Sequence, residues 1–142
     1  MATTRSRLGS QAIDDLLRTL PVRVRDKLLR AALTRGAEIV LAEAKALAPV
    51  HTGEYRDSLY VRPIKLHSRN ASREAAIGVV GGYGLAHLLE YGHAYKATIR
   101  GKTYEGNVPA QPHLRTAADN KRDEAVKAIS SHLEAHFAEA LR

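Results

Sequence analysis

His87, Glu90 and His93 stand three residues apart in turn, with His51 and His113 elsewhere in the chain, so metal binding and acid-base catalysis are the first chemistries to weigh. On a helix, successive three-residue steps drift by about 60° each, so these side chains do not converge as an i, i+4 histidine pair does. Within Leu85, Ala86, Leu88 and Leu89, His87 reads as a packed or hydrogen-bonded histidine rather than a ligand. Nucleophilic catalysis would need a hydroxyl beside a base and an orienting acid. Thr52, Asp57 and Ser58 lie close to His51, but no strand-turn-helix elbow presents them, and a turn or helix cap accounts for both hydroxyls. Gly78, Gly81, Gly82 and Gly84 are not followed by Gly-Lys-Ser/Thr and read as turns rather than a phosphate-binding loop. The expectation is a non-enzyme with no catalytic residue, cofactor or metal. A small hydrolase using His51, His87, Glu90 or His93 is the rival, which metal-dependent turnover lost in His87→Ala would support.

The composition narrows the remaining classes. The chain has 142 residues, 44% hydrophobic and 26% charged, which suits one soluble domain with an ordinary core. With no cysteine, zinc-thiolate sites and disulfide scaffolds are excluded, and an intracellular setting fits. No apolar run approaches the roughly 20 residues of a membrane span, and no apolar signal-peptide core follows the polar, basic start, so neither insertion nor export is expected. Residues 1–71 hold 13 basic and 7 acidic side chains, whereas residues 72–142 hold 9 and 8. A basic half within a net charge of +7 suits an anionic partner such as nucleic acid, although it also serves solubility. Single-strand binding calls for aromatics interleaved with Lys and Arg. Tyr55, Tyr60, Tyr83, Tyr91 and Tyr95 sit among Gly, Leu and Ala instead, which suits packing or a protein interface.

These side chains must be positioned by a small set of elements. Residues 1–9 lack periodicity and read as a flexible basic arm, leaving 10–142 as a single α+β domain. Ser10 caps a short helix over Gln11 to Thr19, and Pro21 opens a second. Leu29, Leu33, Gly36, Val40, Ala44 and Leu47 recur at helical spacing, and this long helix ends before Pro49, because a residue ahead of proline avoids the helical region. Leu59–Leu66 and Ala75–Val80 are β-type runs joined by the polar loop His67–Arg73, with Pro63 requiring an edge or a bulge. Two further strands, Tyr95–Ile99 and Lys102–Tyr104, flank Arg100-Gly101. Leu85–Tyr91 stays open between helix and strand. From His113, Leu114, Ala118, Ala125, Ile129, Leu133, Phe137 and Ala140 share a helical face. The fold class is α+β, with a small antiparallel sheet of about four strands packed against a long helix of the N-terminal half and a C-terminal helix.

Three local patterns then occur in order: Pro49-Val50-His51-Thr52-Gly53-Glu54-Tyr55-Arg56-Asp57-Ser58; Tyr83, Ala86, Glu90, Tyr91 and Gly92; and Ala110-Gln111-Pro112-His113-Leu114-Arg115-Thr116-Ala117. Together they resemble the tail-component family of phages with long non-contractile tails, whose members are described as neck, head-tail joining or tail-completion proteins. The family pattern is a Pro-x-x-Thr-Gly-x-Leu-x-x-Ser turn, a Tyr-Ala-x-x-x-Glu-Phe-Gly-Thr segment and an Ala-x-Pro-Phe-Leu-x-x-Ala helix entry. This chain departs from it at Gly92-His93, at Pro112-His113, and in the longer stretch His93–Asn107. The resemblance spans about Ala31 to Ala118.

The resemblance implies a structural virion protein at the head-tail junction, assembled in the host cytoplasm as one subunit of a ring. Sixfold symmetry would match the tail, and twelvefold the portal side. Its partners would be copies of itself and the neighbouring head-tail connector, tail terminator or tail tube proteins, with no membrane. Ring subunits need heterologous interfaces. The sheet edge near Leu59–Leu66 and the stretch His93–Asn107 are the candidates, with Tyr60, Arg62, Tyr95, Arg100 and Tyr104 as contact residues. Pro49, Thr52, Gly53, Ser58, Glu90, Gly92 and Pro112 are the motif positions, and of these Thr52, Gly53 and Pro112 read as shaping the chain rather than touching a partner. Glu90, inside an apolar segment, needs a donor, for which an arginine of this or a neighbouring subunit is expected. The residue 1–9 arm is placed to reach a neighbouring ring, and Arg5, Arg7 and Arg18 to touch DNA in the channel. The alternative is a basic nucleic-acid-binding protein of a phage or bacterium, whose affinity would fall steeply with salt.

Overall fold

The structure is a computed structural model that describes residues 3–64, 76–81 and 84–140. The expected loop His67–Arg73 lies outside the described residues, as do Leu66, Ala75, Gly82, Tyr83 and the side chains of Arg5 and Arg7. In chain order the elements are α1 (Thr3–Thr19), α2 (Val22–Leu47), α3 (Glu54–Asp57), β1 (Tyr60–Ile64), β2 (Ala76–Val80), α4 (Ala86–Tyr91), β3 (His93–Ile99), β4 (Lys102–Val108) and α5 (His113–Ala140).

The fold is α+β, built on α2 packed along α5. Small residues permit the close approach. Ala32, Ala44 and Ala117 are fully buried, and a Cβ on Gly36 would stand 2.7 Å from Ile129 Cδ1. One apolar cluster joins α2 and α5 through Leu28, Ala32, Leu133 and Phe137 with Leu20 ahead of α2, and Ile13 and Leu17 of α1 pack against it. A second joins Ala44, Ala48, Leu59 and Ala117, with Val79 and Tyr55 against it, and this one seats the β1–β2 hairpin on α2. α2 ends at Leu47, and Ala48 turns to φ −61°, ψ 137° ahead of Pro49, as the proline requires.

The four strands form two separate antiparallel hairpins, β1–β2 and β3–β4, rather than one sheet. Pro63 therefore sits on an edge strand, opposite Ile77. Leu85–Tyr91, left open by the sequence, is largely the short helix α4. α1 begins at Thr3, so the helix reaches well before the boundary expected at Ser10. The stretch His93–Asn107 is a β-ribbon whose seven-residue strands pair from His93↔Val108 to Ile99↔Lys102. Arg100 and Gly101 turn it with φ of 51° and 78°. Positive φ at both central residues matches the right-handed twist of the strands.

Candidate functional site

Two regions stand out, a buried polar cluster where the three sequence patterns meet and an apolar surface around it. In the cluster, the carboxylate of Glu90 on α4 accepts the backbone N–H of Leu114 at 3.0 Å and of Arg115 at 2.9 Å. These are first-turn N–H groups of α5, which have no acceptor within their own helix. A carboxylate there satisfies two donors and faces the positive end of the helix dipole. This explains how Glu90 can be 9% exposed: within this chain its donors are α5 backbone groups rather than an arginine guanidinium.

His113, the first residue of α5, is 3% exposed. Its Nδ1 lies 3.0 Å from the carbonyl oxygen of Gln111, which can only accept, so Nδ1 carries the hydrogen. In the neutral ring Nε2 is then the acceptor for the Tyr55 hydroxyl at 2.7 Å. The two rings meet edge to face with centroids 5.4 Å apart. Burial, and then the charge of Glu90, raise the Tyr55 phenol above the ordinary tyrosine value. A further bond, Gln111 N–H to the Leu89 carbonyl at 2.7 Å, ties the α5 lead-in to α4. Gly92 closes the cluster at φ 73°, ψ 168°. A Cβ there would lie 2.6 Å from the Val108 carbonyl oxygen, so only glycine fits.

The other motif residues shape the chain around this cluster. Gly53 is buried at φ 86° and starts α3, and the Thr52 hydroxyl faces the Glu54 N–H at 3.4 Å. Ser58 ends α3 and donates its hydroxyl to the Tyr55 carbonyl at 2.6 Å. Pro112 precedes α5, and its carbonyl accepts the Thr116 hydroxyl. Pro49 lies beyond α2 in the wall of a groove of about 600 Å³, shared with Val50, Glu54, Tyr55, Leu85 and Leu89.

The proposed contact residues are at the surface: Tyr60 (45% exposed), Tyr95 (47%) and Tyr104 (50%), with Arg62 and Arg100 also exposed. They fall into two groups, Tyr60 and Arg62 on β1 and the other three on the β3–β4 ribbon. The candidate histidines separate. His51 lines the groove, His87 is exposed in a shallow depression beside Tyr60, and His113 is in the buried cluster. Among the described residues no three His, Cys, Asp or Glu side chains are grouped to hold a metal, and no helix is long and apolar enough to cross a membrane. Sequence reasoning missed the pairing of Tyr55 with His113. Its available signal was a polar aromatic standing in each of two motifs. Ile99, 58% exposed, was missed as well, although Tyr95, Ala97 and Ile99 alternate along one strand face.

A carboxylate spent on backbone N–H groups and a histidine spent on a tyrosine define a cluster that holds elements together, in a small α+β protein with Tyr60, Tyr95 and Tyr104 exposed on its strands. A family model described as "Bacteriophage HK97-gp10, putative tail-component" matches residues 11–92. The chain belongs to this HK97-gp10-like family of bacteriophage tail components. The matched segment runs through α4 and stops at Gly92, so the β3–β4 ribbon and α5 lie beyond it. No curated protein and no solved structure matches the chain.

Proposed function

We propose that the protein is a non-enzymatic structural component of the virion, acting at the head-tail junction as one subunit of a ring. Membership of a tail-component family is the observation that carries this reading. The exposed aromatics of β1 and of the β3–β4 ribbon support it, since a ring subunit presents two different patches to its neighbours. Sixfold symmetry is the form proposed for a ring that meets the tail, and twelvefold for one that meets the portal. Neighbouring connector, tail terminator or tail tube proteins would lie above and below. The motif residues serve this role from inside, by fixing the turn after α2 and the start of α5.

The test is electron microscopy of lysates from a phage or prophage with this gene alone deleted. Filled heads and separate tails are the expected outcome, and normally joined virions overturn the assignment. A second reading, contact with DNA in the channel, draws on the net charge of +7. It requires that binding of the purified protein to duplex DNA weaken steeply between 50 and 200 mM salt, on the order of the thousandfold loss that about six phosphate contacts produce. Binding that ignores salt would exclude it.

A further inference from the structure

The β3–β4 ribbon is amphipathic. By its register, Tyr95, Ala97 and Ile99 of β3 share a face with Tyr104, Gly106 and Val108 of β4, with His93 at its base and Lys102 opposite Ile99 at its tip, whereas Ala94, Lys96 and Thr98 share the other with Thr103, Glu105 and Asn107. Tyr95 lies across Gly106 so closely that a Cβ there would stand 2.7 Å from its ring. Such alternation is the pattern of a strand pair with one face covered and one in water. Here the apolar face is open: Tyr95, Ile99 and Tyr104 are 47%, 58% and 50% exposed. A two-stranded ribbon on its own is marginal in water, and a cover on this face would stabilise its outer part.

The same chain carries an uncovered apolar groove of about 600 Å³ between the Pro49–Glu54 turn and α4, with Val50 62% and Leu85 42% exposed in its walls. Charge matches as well. Arg100 and Lys102 stand at the ribbon tip and form no ion pair among the described residues, while Lys96 and Glu105 pair with each other on the polar face. The groove has Glu54 as its carboxylate and no lysine or arginine in its lining. A ribbon of seven-residue strands reaches roughly 20 Å from its base, enough to cross to a neighbouring molecule.

We propose that the apolar face of the β3–β4 ribbon seats in the groove between the Pro49–Glu54 turn and α4 of a second copy of this chain. Ile99, Tyr95 and Tyr104 enter against Val50, Leu85 and Leu89, and the basic tip meets Glu54. The contact is head to tail, and as a ring interface it rests on the ring reading above.

The chain has no cysteine, so disulfide trapping reads the contact directly. The full-length Leu85→Cys, Ile99→Cys double variant, mildly oxidised, is expected to give a ladder of disulfide-linked species beyond the dimer. A Leu85→Cys, Thr103→Cys control, with its second cysteine on the polar face, should not. Native mass spectrometry of the unmodified protein separates the two layers of the reading. Oligomers without the 85–99 bond overturn the seat and leave the ring. An 85–99 bond confined to closed dimers supports the seat and overturns the ring. A monomer with no bond overturns both. In an independent check, Glu54→Arg and Arg100→Glu should each raise the protomer concentration needed for half-assembly about tenfold, and the double variant should restore it. Single variants that assemble normally refute the pairing of the tip with Glu54.

Discussion

Replacing Glu90 by alanine tests whether the buried cluster is a fastening. The substitution removes both acceptors, at 3.0 and 2.9 Å, from the first turn of α5. Loss of a helix cap costs about 0.5–2 kcal/mol, and a buried donor left unpaired about 1–3 kcal/mol. Arg115 is exposed, so water can recover part of one bond, and a total near 3 kcal/mol is expected. At about 3 °C per kcal/mol for a chain of this size, the midpoint of thermal unfolding should fall by roughly 10 °C. Glu90→Gln keeps one acceptor oxygen but turns an amide NH2 toward a backbone N–H and loses the interaction of a negative charge with the helix dipole. Its midpoint should lie between the other two. Circular dichroism at the helix band follows the midpoint, and hydrogen exchange at the Leu114 and Arg115 amides reports the local opening. An alanine variant that melts within about 2 °C of the parent, with both amides still protected, would refute the fastening.

Other sites give sharper local tests. Gly92→Ala forces a Cβ against the Val108 carbonyl in a backbone region essentially reserved for glycine, so a loss of several kcal/mol by urea unfolding is expected, against tenths if the turn can relax. Leu59→Ala empties a side chain only 2% exposed beneath β1, and should cost about 2–5 kcal/mol in the same assay. His132 stacks on His136 with centroids 4.2 Å apart, and desolvation, then the His136 and Arg35 charges, lower its pKa. The unfolded chain then binds the proton more readily, so stability should fall as pH drops through the ordinary histidine value of 6.5 toward the lower folded one. Unfolding midpoints between pH 7 and pH 5 should flatten in His132→Asn, and an unchanged slope would remove His132 from the account.

Much of the fold was legible because it depends on local rules. The α2 stripe, the stop before Pro49, the positive φ of Gly53 and the hairpin turn at Arg100-Gly101 each follow from residues within a few positions of one another. α4 was ambiguous because six residues are too few to show a helical period. Division of the strands into two ribbons was not legible, because it turns on which strands pair across α4, and the positive φ of Gly92 at the start of β3 is not announced by a glycine alone. Glu90 was legible as a buried charge in need of a donor, but its donors are backbone groups more than twenty residues away, and no residue type marks a free helix N–H. Of the residues named for chemistry, Glu90 and His113 are taken up by packing, whereas His51, Thr52, Asp57 and His87 stay at the surface.

A double-mutant cycle on Tyr55 and His113 isolates the contribution of their pairing. Tyr55 and His113 stand 58 positions apart and are joined by a 2.7 Å hydrogen bond. Each of these two polar side chains satisfies the other. Breaking such a pair from one side leaves a polar atom without its partner, whereas replacing both sides with apolar groups of similar shape is close to neutral. Tyr55→Leu alone strands His113 Nε2, and His113→Phe alone strands the Tyr55 hydroxyl and frees the Gln111 carbonyl, so each should cost about 1–2 kcal/mol. The double variant should cost less than the sum of the singles by about 1 kcal/mol or more, measured by urea unfolding, because contacting residues couple. Additivity within about 0.5 kcal/mol would mean that the two substitutions are independent and that the hydrogen bond does not hold the α3 turn to α5. Coupling would show that the Tyr55–His113 bond fastens the α3 turn to the start of α5.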